Sequence, residues 1–183
     1  MISLVEIPNS MVLSGEVYGD LCIWDIDRQN EERKVVFSRH NRIIYDIVWI
    51  EKMTVAVGTV DGLYIVDLSK KTSIFRLHGL TRKVEKLLYL KKKGKIITIS
   101  EEQFISVWDI RRRKCLRVMK ESSGFLRSLA LYDEDVIITG NSIGEIRFWD
   151  WQKGLCLYMI PRDQRDYVSL ALTEDRKKTV IGP

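Results

Sequence analysis

The chain has 183 residues, of which 45% are hydrophobic and 30% are charged, a balance typical of a folded globular domain. Its longest stretches without a charged residue, 7–15 and 136–144, span nine residues, whereas a membrane-spanning helix needs about 20 apolar residues, so no membrane span is predicted. Glu6 interrupts the apolar start and no basic segment precedes it, so we expect an intracellular protein of the cytoplasm or nucleus. The net charge of +5 mildly favours acidic partners.

The cysteines and histidines give no sign of a metal site or a disulfide framework. Cys22, Cys115 and Cys156 form no Cys-x-x-Cys pair, and their odd number argues against closed disulfides. His40 and His78 lie in no metal-binding motif. The sequence also lacks a glycine-rich phosphate loop and a nucleophile elbow, so we predict no catalytic residues, no cofactor and no enzymatic activity.

Short β-type runs separated by turns follow one another along the chain. One group of four consists of Val84 to Leu90, Ile96 to Ser100, Ile105 to Ile110 and Cys115 to Met119. These runs are too short and too rich in valine, isoleucine and aromatic residues for helices. Each group therefore predicts a four-stranded antiparallel unit, whose strands we call a, b, c and d from the inside out.

The third run of each group carries one repeated motif, an aromatic or apolar residue followed by aspartate. Its copies are Trp24-Asp25, Val66-Asp67, Trp108-Asp109 and Trp149-Asp150. The spacing is 42 residues from Trp24 to Val66, 42 from Val66 to Trp108 and 41 from Trp108 to Trp149. This period is that of a propeller blade, about 40 to 45 residues. We expect blade 1 at about 1–42, blade 2 at 43–83, blade 3 at 84–124, blade 4 at 125–166 and a partial blade 5 at 167–183.

With this period and these Trp-Asp pairs, the chain resembles the WD-repeat family over essentially its whole length. The resemblance implies an all-β WD-repeat β-propeller, with four blades and half of a fifth in this chain, in a ring that usually has seven blades. In blade 5, Val168 to Leu172 and Thr179 to Gly182 match strands a and b. Two explanations stay open: the sequence is a piece of a longer gene product, or another chain completes the ring.

The resemblance also implies a buried hydrogen-bonded tetrad in each well-formed blade: a strand c Trp, a strand b Ser or Thr, a turn Asp and a His before strand a. Blade 3 is the most similar, and its tetrad residues would be His78, Ser100, Glu102 and Trp108. Blade 2 has Val66 in place of Trp, and blade 4 has Asn141 and Ile143 at polar positions. We expect the networks of these two blades to be incomplete or replaced by apolar packing.

Propeller geometry places the a-to-b and c-to-d loops on one face, which we call the basic face. Its candidate partner-binding residues are Lys91, Lys92, Lys93, Arg111, Arg112 and Arg113. Such charges commonly serve only as solvated turn residues. The functional alternative is contact with RNA, a ribonucleoprotein or an acidic protein segment.

The b-to-c and d-to-a loops lie on the opposite face, around the central opening, and we call this region the rim. Its candidate partner-binding residues are Arg42, Lys83, Phe125 and Tyr167. Arginine and aromatic side chains are over-represented among interface hot spots, so the rim is a second candidate surface for docking peptides.

The leading functional hypothesis is a non-catalytic scaffold for other proteins, because the sequence offers loops on a rigid frame and no reactive constellation. A more specific version rests on the segment from Ile96 to Arg111, which ends in Trp-Asp-x-Arg. It is similar to the box that WD-repeat substrate receptors present to the adaptor of a cullin-RING ubiquitin ligase, although Ile99 stands where the box prefers a small residue. A ribonucleoprotein or RNA-associated component that uses the basic face is the remaining alternative.

Overall fold

The computed structural model describes residues 3–27, 34–38, 42–77, 83–161, 169–172 and 179–182, and all regular elements in these ranges are β-strands. Blade 1 consists of β1 (Ser3–Ile7), β2 (Met11–Gly15), β3 (Asp20–Asp25) and β4 (Lys34–Ser38). Blade 2 consists of β5 (Ile44–Glu51), β6 (Thr54–Thr59), β7 (Gly62–Asp67) and β8 (Thr72–Leu77). Blade 3 consists of β9 (Val84–Leu90), β10 (Lys95–Ser100), β11 (Phe104–Asp109) and β12 (Lys114–Lys120). Blade 4 consists of β13 (Leu126–Leu131), β14 (Val136–Asn141), β15 (Ile146–Asp150) and β16 (Leu155–Ile160).

Every blade is an antiparallel sheet in which each strand pairs with the next one along the chain. Short turns between sequence neighbours favour this arrangement, because antiparallel strands can be joined by tight turns whereas parallel strands need long crossovers. Two further strands, β17 (Ser169–Leu172) and β18 (Thr179–Gly182), pair antiparallel with each other. The prediction of an all-β chain built from four-stranded propeller blades is confirmed.

The first strand of each blade is the one that contacts the next blade most closely. β1 lies beside β5, β5 beside β9, β9 beside β13, and β13 beside β17. The first strands therefore form the inner layer of the fold, and the fourth strands form the outer edge.

The hydrophobic core of the described residues is divided into layers between successive blades. Between blades 2 and 3, Leu63 and Leu77 pack with Trp108. Between blades 3 and 4, Val107 packs with Trp149. Successive residues of a strand point to opposite faces of the sheet. Val107 and Trp108 consequently serve the two neighbouring layers, and one strand holds three blades together.

A half-buried carboxylate connects the inner strands of blades 1, 2 and 3. Asp46 of β5 accepts a hydrogen bond from the Ser3 hydroxyl of β1 at 2.9 Å and one from the Leu87 N–H of β9 at 2.7 Å. The N–H of Ile47 donates to the same carboxylate at 3.1 Å. Burial raises the pKa of Asp46, although these donors and the positive charge of Lys86 oppose the rise.

Candidate interaction surfaces

In three blades the strand c tryptophan donates a hydrogen bond to a hydroxyl on strand b. The indole N–H groups of Trp24, Trp108 and Trp149 bond to Ser14 at 2.8 Å, Thr98 at 3.2 Å and Thr139 at 2.9 Å, respectively. The two residues of each pair are 10 positions apart in the sequence. This repeated bond satisfies the polar end of a large apolar side chain, which is what a tryptophan needs when it is buried.

In blade 3 the hydroxyl that accepts the Trp108 N–H belongs to Thr98, whereas the sequence predicted Ser100 as the tetrad hydroxyl. Trp108 lies opposite Ile96 in the register of β10 and β11, so Thr98 is a diagonal neighbour on the same face. Ser100 is four residues from Ile96, roughly 13 Å along the strand, and is out of reach. The Ser100 hydroxyl is buried and makes no hydrogen bond in the described part of the chain. His78 lies outside the described residues, so the complete tetrad stays a prediction.

The aspartate that follows each motif position closes the turn between strands c and d. In blades 2, 3 and 4 its Oδ1 accepts the backbone N–H three residues later, as in Asp67 with Lys70 at 3.1 Å, Asp109 with Arg112 at 2.9 Å, and Asp150 with Lys153 at 2.8 Å. Asp25 of blade 1 accepts from the N–H of Asp27 at 3.2 Å. The ammonium of Lys95, at 2.8 Å, and the Arg112 N–H hold the pKa of Asp109 below its ordinary value. The aspartates therefore fix the loops of the basic face.

Blade 2, which has Val66 at the tryptophan position, keeps a polar network at the turn between β6 and β7. The Thr59 hydroxyl donates to Asp61 at 2.7 Å, and the Tyr64 hydroxyl donates to the other Asp61 oxygen at 2.8 Å. Arg42 forms an ion pair with Asp61 at 3.0 Å. Val66 itself is fully buried between blades 1 and 2. Blade 2 therefore forms a polar network without a tryptophan at the motif position.

Blade 4 also contains a polar network, although the sequence predicted an incomplete or apolar one. The Asn141 amide donates to the Ser123 carbonyl at 2.8 Å. Arg147 forms ion pairs with Glu121 at 3.1 Å and with Glu145 at 3.0 Å. Mainly because the Ser123 hydroxyl donates to Glu145, the pKa of this carboxyl lies below its ordinary value. The asparagine thus fastens the connection between blades 3 and 4 to the turn between β14 and β15.

The rim contains side chains that intramolecular contacts hold in place. Lys83 forms an ion pair with Glu85 at 2.7 Å, which raises the pKa of the lysine, and its ammonium lies 4.5 Å from the centre of the Tyr45 ring. Glu85 also pairs with Arg127 at 3.6 Å. Phe125 is 52% exposed. The structure thus describes three of the four predicted rim residues, Arg42, Lys83 and Phe125, whereas Tyr167 lies outside the described residues.

On the basic face, ion pairs bring the loops of blades 3 and 4 together. Lys92 pairs with Glu134, and the Lys93 ammonium lies 4.0 Å from Asp135. The Arg113 guanidinium lies 4.4 Å from the centre of the Phe75 ring in blade 2. The face is therefore less positive than its lysine and arginine content indicates, because acids compensate part of it.

The remaining three predicted residues of the basic face, Lys91, Arg111 and Arg112, are exposed. Lys91 lies in the turn between β9 and β10, and Arg111 lies in the turn between β11 and β12. Neither forms an ion pair with a carboxylate of the described residues. Arg112, also exposed, lies 3.9 Å from Asp109. Among the six predicted residues of the basic face, Lys91 and Arg111 are therefore the ones most available to a partner.

Comparison with known proteins finds curated relatives that share one name. A segment of 88 residues is 33% identical to WD repeat-containing protein 55 of Rattus norvegicus, covering 48% of this chain and 23% of the rat protein. A segment of 132 residues is 24% identical to the protein of the same name from Danio rerio, covering 69% of this chain and 34% of the fish protein. The chain carries WD repeats. No family model matches it.

This WD-repeat chain matches only about a quarter to a third of the length of those relatives. The human protein of the same name gives a similar result, 32% identity over 88 residues and 23% of its length. Within the described ranges, no three His, Cys, Asp or Glu side chains come close enough to hold a metal ion. Those ranges also contain no helix of the length and apolarity needed to cross a bilayer.

Proposed function

We propose that this WD-repeat chain is a non-catalytic scaffold that mediates protein-protein interactions in a multiprotein complex. The main support is the separation of roles within each blade. Buried tryptophan and apolar layers hold the strands, while the turns present exposed cations and aromatics such as Arg111 and Phe125. Binding residues are disproportionately found on loops positioned by a rigid scaffold. The proposal includes an intracellular setting, where a free and exposed thiol such as that of Cys156 stays reduced.

The rim is the surface that supports this function best. Arg42 is held by Asp61, and Lys83 is held by Glu85, so a partner that contacts them loses less side-chain entropy on binding. Phe125 is more than half exposed, and the Arg127 guanidinium, which also pairs with Glu85, lies 5.8 Å from the centre of its ring. Rigid charged groups near an exposed aromatic ring have the composition of an interface hot spot.

The test is affinity purification with the full chain, followed by cross-linking and mass spectrometry. We expect Phe125→Ala to lose cross-linked partners that the wild-type chain retains, because the ring supplies apolar contact area. Phe75→Leu is the control, since Phe75 is a half-buried aromatic residue of β8, the outer strand of blade 2, and its ring packs against the core and Arg113. A wild-type chain with no partner above background, or a purified chain that turns over a substrate, would overturn the scaffold proposal.

A ubiquitin-ligase substrate receptor is a second candidate, favoured by the exposed Arg111 at the end of the Trp-Asp-x-Arg segment. Asp109 is fixed by Lys95 and by the Arg112 N–H, so the turn that carries Arg111 is ordered. Arg111→Ala should abolish binding to a cullin-RING adaptor, and Arg111→Lys should restore little of it, because a guanidinium binds carboxylates in a planar fork that an ammonium lacks. Equal binding by all three proteins would contradict this role.

An RNA-associated component is the third candidate, favoured by the exposed Lys91 and Arg111 on the basic face. Reversal of their neighbours Lys92, Lys93, Arg112 and Arg113 to Glu places negative charge around Lys91 and Arg111, so it should weaken association with RNA, and the effect should fade as salt rises. The fold should be retained, because exposed turn substitutions usually change stability by about 0.5 kcal/mol or less. Filter binding over a salt series measures this, and salt-independent affinity would contradict it.

Closure into a seven-bladed ring, with the remaining blades from a longer gene product or another chain, is also part of the proposal.

A further inference from the structure

A groove between blades 3 and 4 combines positive charge with apolar walls. It has a volume of about 450 Å³ and lies where the basic face meets the outer edge of the sheets. Its cationic side chains are Lys93, Lys95 and Arg117, and its apolar ones are Val107, Leu116 and Trp151. The volume is in the range of ligand pockets, about 300 to 1,000 Å³. The groove can therefore hold a few side chains of a partner.

The three cations of the groove are not equally neutralised. Lys95 pairs tightly with Asp109 at 2.8 Å, and Lys93 lies 4.0 Å from Asp135. Arg117 is exposed and forms no ion pair with a carboxylate in the described ranges. The groove consequently has an uncompensated positive charge at Arg117, and a carboxylate is the complementary group.

The walls of the groove are held in place by contacts of their own. The Trp151 indole N–H donates to the Glu134 carbonyl at 3.1 Å, and the tryptophan is only 6% exposed. The aliphatic part of Arg117 lies on Gly154, where an added Cβ would be 2.7 Å from the arginine Cδ. Leu116 is 46% exposed and offers its side chain to a ligand. The Arg117 guanidinium and the exposed Leu116 side chain therefore offer an amphipathic segment one charged and one apolar contact.

We propose that this groove binds a short acidic segment of a partner protein, with a carboxylate on Arg117 and a neighbouring apolar side chain on Leu116. The inference rests on the proposed scaffold function and adds a second surface, apart from the rim. A guanidinium binds a carboxylate through two parallel hydrogen bonds, which orients the segment. Nucleic acid fits the groove less well, because single-stranded bases need exposed aromatic rings for stacking and Trp151 is buried.

The probe is a fluorescein-labelled peptide that alternates glutamate and leucine, titrated with the full chain and followed by fluorescence anisotropy. Arg117→Glu should weaken binding about tenfold or more, which corresponds to about 1.4 kcal/mol. Lys91→Glu makes the same charge change on the basic face at a residue that does not line the groove, and it should weaken binding about twofold or less, because salt screens its attraction to the peptide. Equal denaturation midpoints would establish that all variants are folded.

A second variant separates the apolar contact from charge. Leu116→Ser should weaken binding of the glutamate-leucine peptide severalfold but leave binding of a glutamate-serine peptide unchanged. Equal losses of peptide affinity in Lys91→Glu and Arg117→Glu, or no effect of Leu116→Ser, would overturn the groove proposal and indicate diffuse attraction to the basic face. Competition by a uridine oligonucleotide that depends on both Arg117 and Leu116 would overturn the choice of a protein partner. If no peptide binds while Phe125 still controls cross-linked partners, the groove proposal fails and the scaffold proposal stands.

Discussion

Trp108→Ala should be among the most destabilising substitutions in the chain. Trp108 is 1% exposed and packs between blades 2 and 3. A tryptophan buries roughly 200 Å², which at about 25 cal/mol per Å² gives about 5 kcal/mol, and measured costs of Trp→Ala in cores are about 3 to 5 kcal/mol. The change also removes the indole donor from the buried Thr98 hydroxyl.

Two matched substitutions make this prediction specific. Trp24 has the same repeat position and the same type of hydroxyl partner, but it is only partly buried, so Trp24→Ala should cost less. Val66→Ala removes two methyl groups from a fully buried position and should cost roughly 2 kcal/mol. Equilibrium denaturation in guanidinium measures the free energy of unfolding of each protein. An unchanged midpoint for Trp108→Ala, or a cost equal to that of Trp24→Ala, would refute the role of Trp108 in joining the blades.

Asp46→Ala should lower the free energy of unfolding by about 1 to 3 kcal/mol for each buried donor that loses its acceptor, such as the Leu87 N–H. A smaller loss in urea denaturation would contradict the role of Asp46 as an acceptor shared by blades 1 and 3. Because the folded pKa of Asp109 is lowered from 3.8, its contribution to stability should be present above pH 3.8 and be lost as the pH falls through the lower folded pKa. Asp109→Asn should therefore flatten the stability profile in this acidic range, and parallel profiles for the two proteins would contradict the assignment. Gly58→Ala should destabilise by about 1 to 3 kcal/mol, because the new Cβ would lie 2.9 Å from the Val84 carbonyl oxygen; an unchanged thermal midpoint would show that the two strands can separate at no cost.

Much of the fold could be predicted from the sequence, because the periodic signal is local to each strand c. The spacing of Trp24, Val66, Trp108 and Trp149 sets the number of blades, and alternation within each run sets the strands. The substitution at Val66 did not obscure the repeat, since a buried apolar residue still fits the layer between two blades.

Side-chain partners were less accessible to sequence reasoning. Thr98 and Ser100 lie on the same face of β10, so alternation alone cannot distinguish them as the acceptor for Trp108. The blade 4 network was missed because Glu121 and Arg147 come from different blades and no local motif joins them. The sequence signal that could have identified Thr98 was the repeated distance of 10 residues between the hydroxyl and the tryptophan. No such signal pointed to the blade 4 network.

We expect the carboxylate of Asp46 to couple the opening of three blades. In many repeat proteins each unit interacts only with its neighbours, so stability is close to a sum of local and adjacent terms. Here Ser3 of blade 1 and Leu87 of blade 3 share one acceptor, although blade 2 lies between them. When either outer blade detaches, the half-buried carboxylate loses a donor. Hydrogen exchange at the Ile47 and Leu87 amides should consequently follow one cooperative opening of three blades, and not three independent frayings.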